Sequence, residues 1–222
     1  MKTETLEFNT SNGAAKAFAA SPENTENQKA VILIHEWWGL NDQIKKTAER
    51  YANEGVTAIA PDLYRGKLAA DPDEAAQLMA DLEIDDGLET IRAAISTAQE
   101  NYGNSNFGIS GYCMGGTFAL QAACKVEGIN AAAPYYGDIP TESELENLSI
   151  PVIFISAKQD AWINPEKVGE LEFAAEKFDL DVEFISYDAD HAFANSTRPE
   201  VYDQNAADDA WKRVLNFFND KL

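Results

Sequence analysis

Along the chain, short apolar runs alternate with longer stretches in which apolar residues recur every three or four positions. Six runs read as strands: VILI at 31–34, VTAIA at 56–60, NFGIS at 106–110, INAAAP at 129–134, VIFIS at 152–156 and VEFISY at 182–187. Runs this uniformly apolar suit strands covered on both faces. Between them Ile44, Ala48 and Tyr51 mark one helical stripe and Val168, Leu171, Ala175 and Phe178 another, while Trp211, Val214, Leu215 and Phe218 mark the helix that closes the chain. The first thirty residues are less regular, with LEF and KAFAA as two leading strands and SPENTENQ at 21–28 as a polar turn. An acidic stretch over 71–89, containing Leu78, Leu82 and Leu88, reads as helical and covering the sheet with its charges in water. The alternation predicts an α/β fold with a mostly parallel central sheet and helices on both faces. No repeat or linker divides the 222 residues, so one domain over 1–222 is expected.

Composition narrows the partners. Seventeen Lys and Arg against 38 Asp and Glu leave a net charge of −21, which repels a nucleic acid backbone and an anionic membrane surface. No run approaches the roughly 18 apolar residues of a membrane span. The opening MKTETLEFNT has no apolar core of a secretory signal, so a cytoplasmic location is expected. If Cys113 and Cys124 share a helix, a rise of ~1.5 Å per residue puts them about 16 Å apart, beyond the reach of a disulfide. Free thiols fit a reducing compartment.

The candidate chemistry lies in NFGISGYCMGGTFAL at 106–120, where an apolar run meets a glycine cluster and a longer apolar stretch. A phosphate-binding loop would need lysine where Thr117 stands. A dinucleotide fingerprint cannot be threaded onto Gly108, Gly111, Gly115 and Gly116. Gly111-Tyr112-Cys113-Met114-Gly115 does fit the nucleophile elbow G-x-S-x-G with cysteine in the serine position. Such a turn strains the nucleophile's backbone and crowds its neighbours, which flanking glycines relieve. The following helix points its N-terminal dipole at the sulfur and favours thiolate. A buried structural cysteine in a glycine-rich turn is the alternative.

An elbow of this kind takes its partners in the order nucleophile, acid, base, each on a loop after a strand. AKQDAWINP after VIFIS offers Asp160, and DADHAFAN after VEFISY offers His191. Asp188 and Asp190 compete for the acid's role, and Asp160 also suits a turn or cap. His35 precedes the nucleophile, which leaves His191 as the base, with Asp160 holding its tautomer.

With VILIHEWWGLN, APDLYRG, GISGYCMGG, KQD and HAFA in place, the chain resembles the dienelactone hydrolase family of α/β-hydrolases over most of its length. The resemblance implies the α/β-hydrolase fold and a Cys113, His191, Asp160 triad that opens activated or cyclic esters through an acyl-thioester. It also implies that Glu36, in HEWWG, interacts with the resting thiol and helps to deprotonate it. Burial between a strand and two tryptophans would raise the carboxyl's pKa, as suits a base. Backbone N–H groups of Trp37 and Met114 would form the oxyanion hole. Trp37, Trp38 and Tyr64 are candidates for an aromatic substrate pocket or for core, and Arg65 and Arg198 for substrate binding or plain surface charge. Dienelactone-cleaving members hold a substrate carboxylate with arginines after the DLY segment and after HAFA. Here 67–91 contains no arginine and Asn195 follows HAFA. The implied protein is a hydrolase of small ester or lactone substrates, monomeric or a small homo-oligomer, with no cofactor, metal, nucleic acid or membrane partner. A thioesterase or acyltransferase using the same residues, and a non-catalytic binding protein of this fold, are the alternatives.

Overall fold

The computed structural model describes residues 1–23 and 29–222, so most of the turn expected at 21–28 lies outside the described residues. Among the described residues there are eight strands: β1 (Lys2–Thr10), β2 (Gly13–Ser21), β3 (Lys29–Ile34), β4 (Thr57–Pro61), β5 (Asn106–Tyr112), β6 (Ile129–Tyr135), β7 (Val152–Ala157) and β8 (Val182–Tyr187). They form one sheet in the order β1-β2-β4-β3-β5-β6-β7-β8. Only β2 runs against the rest, pairing antiparallel with β1 and with β4. The other neighbours pair in parallel. LEF and KAFAA thus sit inside a leading hairpin, and each of the six central runs is a strand.

Helices α1 (Asp42–Asn53), α2 (Pro72–Asp81), α3 (Ile84–Tyr102), α4 (Met114–Lys125), α5 (Glu142–Leu145), α6 (Pro165–Phe178) and α7 (Gln204–Lys221) link and cover the strands. Ile44, Ala48 and Tyr51 of α1 pack with Trp211, Val214 and Phe218 of α7 in one core. Leu88 and Ile91 of α3, Phe118 of α4 and Leu171 of α6 belong to a second core. Strands such as β3 feed both, Val31 and Leu33 into one and Ile32 and Ile34 into the other, which explains their unbroken apolar sequence.

The acidic stretch is helical, as expected, but in two pieces. Asp71 caps α2 by accepting the Glu74 N–H at 2.9 Å, and Leu82 then turns extended at φ −90°, ψ 105°. The chain restarts as α3 with Asp85 and Asp86 in its first turn, where the helix dipole favours negative charge. The break lets the segment line a cavity as well as cover the sheet.

The register brings the loops of interest together. Leu33 and Ile34 of β3 pair with Ser110 and Gly111 of β5, and Tyr112 pairs with Tyr135 of β6. The chain leaves these strands at one edge of the sheet, the edge where parallel α/β sheets gather their ligands. At that edge α4 approaches the strands more closely than a side chain permits. A Cβ on Gly115 would lie 2.4 Å from the Ile34 carbonyl oxygen and 2.6 Å from that of His35, and one on Gly116 would lie 2.4 Å from the Tyr135 oxygen. Gly115→Ala is therefore expected to cost about 2–3 kcal/mol by forcing backbone apart. Gly169→Ala, in the middle of α6 with nothing within 4 Å of its Cβ, should gain about 0.5–1 kcal/mol. Urea unfolding of both variants checks the pair; equal midpoints would refute the close-approach account.

Candidate active site

Cys113 stands between β5 and α4 with φ 56° and ψ −119°, an αL-side backbone that a residue with a Cβ adopts only under constraint. Its N–H bonds to the Tyr135 carbonyl at 3.1 Å and its own carbonyl accepts the Thr117 N–H at 3.1 Å, so strand and helix hold the turn from both sides. A Cβ on Gly111 would reach within 2.2 Å of the Gly115 oxygen, which accounts for the flanking glycines. Cys124 is buried near the end of α4, and neither cysteine forms a disulfide.

Asp160, three residues beyond β7, is buried. Its Oδ1 accepts the N–H groups of Trp162 and Ile163 at 2.8 and 2.9 Å, and its Oδ2 meets His191 Nδ1 at 2.5 Å. Burial pushes this carboxyl up, but the hydrogen bond and charge of His191 together with the two amides hold it below its ordinary value. Asp188 is occupied elsewhere, accepting from Gln159 Nε2 at 3.0 Å. The imidazole is fixed by Tyr136 and Trp162, whose rings lie 5.0 and 4.9 Å from it. Its Nε2 is buried and no hydrogen bond reaches it among the described residues.

Glu36, two residues past β3, is 3% exposed. Its Oε2 accepts one hydrogen bond, from Asn195 Nδ2 at 2.6 Å, and Oε1 has none among the described residues. Burial raises its pKa to about 7 against the lowering influence of Asn195, His191 and Arg198. Asn195 is in turn anchored through Oδ1, which accepts from the N–H and Oγ1 of Thr197 at 3.0 and 2.6 Å. His35 is wholly buried and acts as a strut: its Nδ1 donates to the Glu36 carbonyl at 2.7 Å and its Nε2 accepts the Leu63 N–H at 3.1 Å.

Cys113, Glu36 and His191 line one cavity of about 400 Å³, within the range of small-molecule sites. The helix N-terminus does not produce a resting thiolate here. Burial and the negative charge of Glu36 push the Cys113 thiol up to about 12, outweighing the lowering contact with the Met114 N–H. The charged carboxylate and a charged sulfur therefore do not coexist at rest.

Trp37, Trp38 and Met114 line the cavity, as does Arg198, whose Nε is paired with Glu200 at 2.7 Å. Two expected substrate residues lie away from it. Tyr64 is buried against His35, ring to ring at 5.0 Å, with its hydroxyl on Met114 Sδ at 3.1 Å. Arg65 points to the β1–β2 turn, where it pairs with Asp86 at 2.6 Å and donates to the Ala14 carbonyl at 3.2 Å. The positive φ of 52° at Arg65 turns the chain out of the loop and carries that side chain off. Met79, Leu82 and Ile84 at the α2–α3 break, Phe118 and Trp162 complete the wall. Of these only Leu82 was singled out in the sequence; Trp162 follows Asp160 by two residues, a positional signal that could have marked it. Among the described residues no group of three or more His, Cys, Asp or Glu is arranged to hold a metal ion, and no helix is long and apolar enough to cross a membrane.

The chain is similar to known proteins over nearly its whole length. The profile of the Dienelactone hydrolase family matches residues 15–222. The protein named usf of Aquifex pyrophilus is 35% identical, with 98% of each chain covered. A protein of Aquifex aeolicus named as a candidate carboxymethylenebutenolidase is 34% identical, again over 98% of both. The crystal structure of a candidate dienelactone hydrolase from Klebsiella pneumoniae superposes with a TM-score of 0.89 at 25% identity, covering 99% of each chain. With the family pattern running from the second strand to the last residue, and with relatives a third identical across nearly the whole length, the chain belongs to the dienelactone hydrolase family and is a hydrolase acting on carboxylic ester bonds.

Proposed function

We propose that the protein cleaves esters or lactones by covalent catalysis at Cys113, with Glu36 taking the thiol proton and His191, oriented by Asp160, activating water. The observation that carries this reading is a pair of buried proton acceptors, Glu36 Oε1 and His191 Nε2, each without a hydrogen-bond partner among the described residues and each lining the cavity of the Cys113 thiol. Orphaned buried acceptors are costly and are retained where a reaction uses them.

The cycle has two halves. Substrate displaces water, the thiol proton passes to Glu36, and sulfur attacks the carbonyl carbon. The oxyanion rests on the Trp37 and Met114 amides, the carbon–oxygen bond breaks, and the departing alkoxide takes the proton held by Glu36. An acyl-thioester remains. His191 Nε2 then removes a proton from water, hydroxide adds to the thioester, and the carbon–sulfur bond breaks as imidazolium returns its proton to sulfur. Asp160, held low and buried against the ring, keeps Nδ1 protonated and balances the imidazolium charge. An uncharged thiol at rest protects the sulfur from adventitious electrophiles until a substrate is seated.

The direct test uses p-nitrophenyl acetate with wild type, Cys113→Ala and His191→Ala; each variant is expected to lose at least about a thousandfold in kcat/KM, in keeping with the loss of a nucleophile or its base. Wild-type rates in both would refute the assignment. Because Glu36 must be ionised to accept a proton and its pKa is about 7, kcat/KM should climb as pH rises through 7. Glu36→Gln should flatten that limb as well as slow the enzyme.

The same carboxyl sets a stability trend. Its folded pKa lies above the ordinary 4.5, so the native state holds this proton more tightly than the unfolded chain. The resulting stabilisation is complete below about pH 4.5 and is lost as pH rises through about 7. Replacement by neutral Gln removes the loss, so from pH 4.5 to 8 the variant's stability should improve relative to wild type by about 3 kcal/mol. Denaturant melts at the two pH values read this directly.

A further inference from the structure

The cavity that holds Cys113 is built for an uncharged guest. Its walls are Trp37, Trp38, Leu82, Ile84, Phe118 and Trp162, and apart from the acceptors Glu36 Oε1 and His191 Nε2 most of its polar lining is engaged. Asp138 is paired with Lys167, while Thr117 Oγ1 accepts the Asp138 N–H at 2.8 Å. His191 is held by Asp160. Arg198 is the one Lys or Arg among the described lining residues, and its Nε is on Glu200 at 2.7 Å. Lys167 balances Asp138 and Glu200 pairs with Arg198, which leaves Glu36 as the lining carboxylate with a neutral amide for its hydrogen-bond partner, so an incoming carboxylate meets a like charge there.

The mouth is apolar as well. Trp162 is 61% exposed and Met79 42%, two of the five large hydrophobic side chains most open to solvent among the described residues. An exposed tryptophan edge-on to the imidazole is poorly explained by packing, because the exposed part of the ring meets water rather than core. Trp37 continues the aromatic surface inward, with ring centroids 6.3 Å from Trp162 and 5.2 Å from Trp38. Such a surface gains by covering a flat apolar group, while stripping water from an ionised carboxylate in the same place costs free energy, and the one lining cation, Arg198, is already shared between Glu200 and the field of Glu36.

We infer, building on the catalytic reading above, that the protein acts on uncharged esters or lactones carrying an apolar, aryl-sized group, and that it discriminates against substrates bearing a free carboxylate.

A matched pair tests this: methyl 4-acetoxybenzoate, which is neutral, and 4-acetoxybenzoate, which has the same shape around the scissile acetate and a carboxylate at the far end. Wild-type kcat/KM values, each divided by the uncatalysed hydroxide rate of that ester, should favour the neutral compound at least tenfold. Cys113→Ala, which cannot turn them over, should bind the neutral ester more tightly by a similar factor. The readout is fluorescence, since three of the four tryptophans line the cavity. Arg198→Ala should change hydrolysis of both esters by the same factor. Equal or preferred use of the carboxylate compound overturns the inference while leaving the catalytic assignment intact. So does an Arg198→Ala loss confined to that compound, and so does failure of Cys113→Ala to bind the neutral ester. Preferential binding of the neutral ester without wild-type hydrolysis of either compound would support the specificity and sink the proposed catalysis instead.

Discussion

The site depends on backbone touching backbone. Gly115 and Gly116, in the first turn of α4, sit against the carbonyl groups that end β3 and β6, closer than any Cβ allows. That contact sets Cys113 above the sheet and brings the chain leaving β3, with Glu36, alongside it. Loops alone do not give such placement, because each would relax independently. Here strand register fixes the approach of one loop and helix contact fixes the other, so the separation of sulfur and carboxylate is a property of the whole sheet.

On that frame, burial governs the electrostatics. The same dry surroundings raise the Glu36 carboxyl and the Cys113 thiol, and each disfavours ionisation of the other. One negative charge between the two is tolerable and two are not. The pair therefore rests with the thiol neutral and a carboxyl of raised pKa beside it, an arrangement opposite to cysteine enzymes whose thiolate is stabilised by a neighbouring imidazolium or helix terminus. Asp160 escapes this conflict because two amides and an imidazole surround it.

Much of the fold was legible because a doubly covered strand writes an unbroken apolar run, and six runs of that kind with three stripes of helical period marked its elements. The elbow was legible because Gly111 and Gly115 are demanded by contacts no other residue allows. The order Cys113, Asp160, His191 could be read from strand ends alone. What the pattern hid was direction. Tyr64 and Arg65 lie next to each other and next to a strand end, yet one packs under His35 and the other swings to Asp86 through a single positive φ. Leu82 looked like a stripe residue of one helix, and the break that turns it toward the cavity has no glycine or proline to announce it. The role of Asn195 was equally silent, since its partner stands 159 positions earlier in the chain.

That last contact joins two duties in one short segment. His191 and Asn195 belong to the same turn after β8, with Ala192 between them at φ 63°. The imidazole and the amide that steadies Glu36 are thereby carried on one short stretch of backbone, so a change in its path displaces both at once.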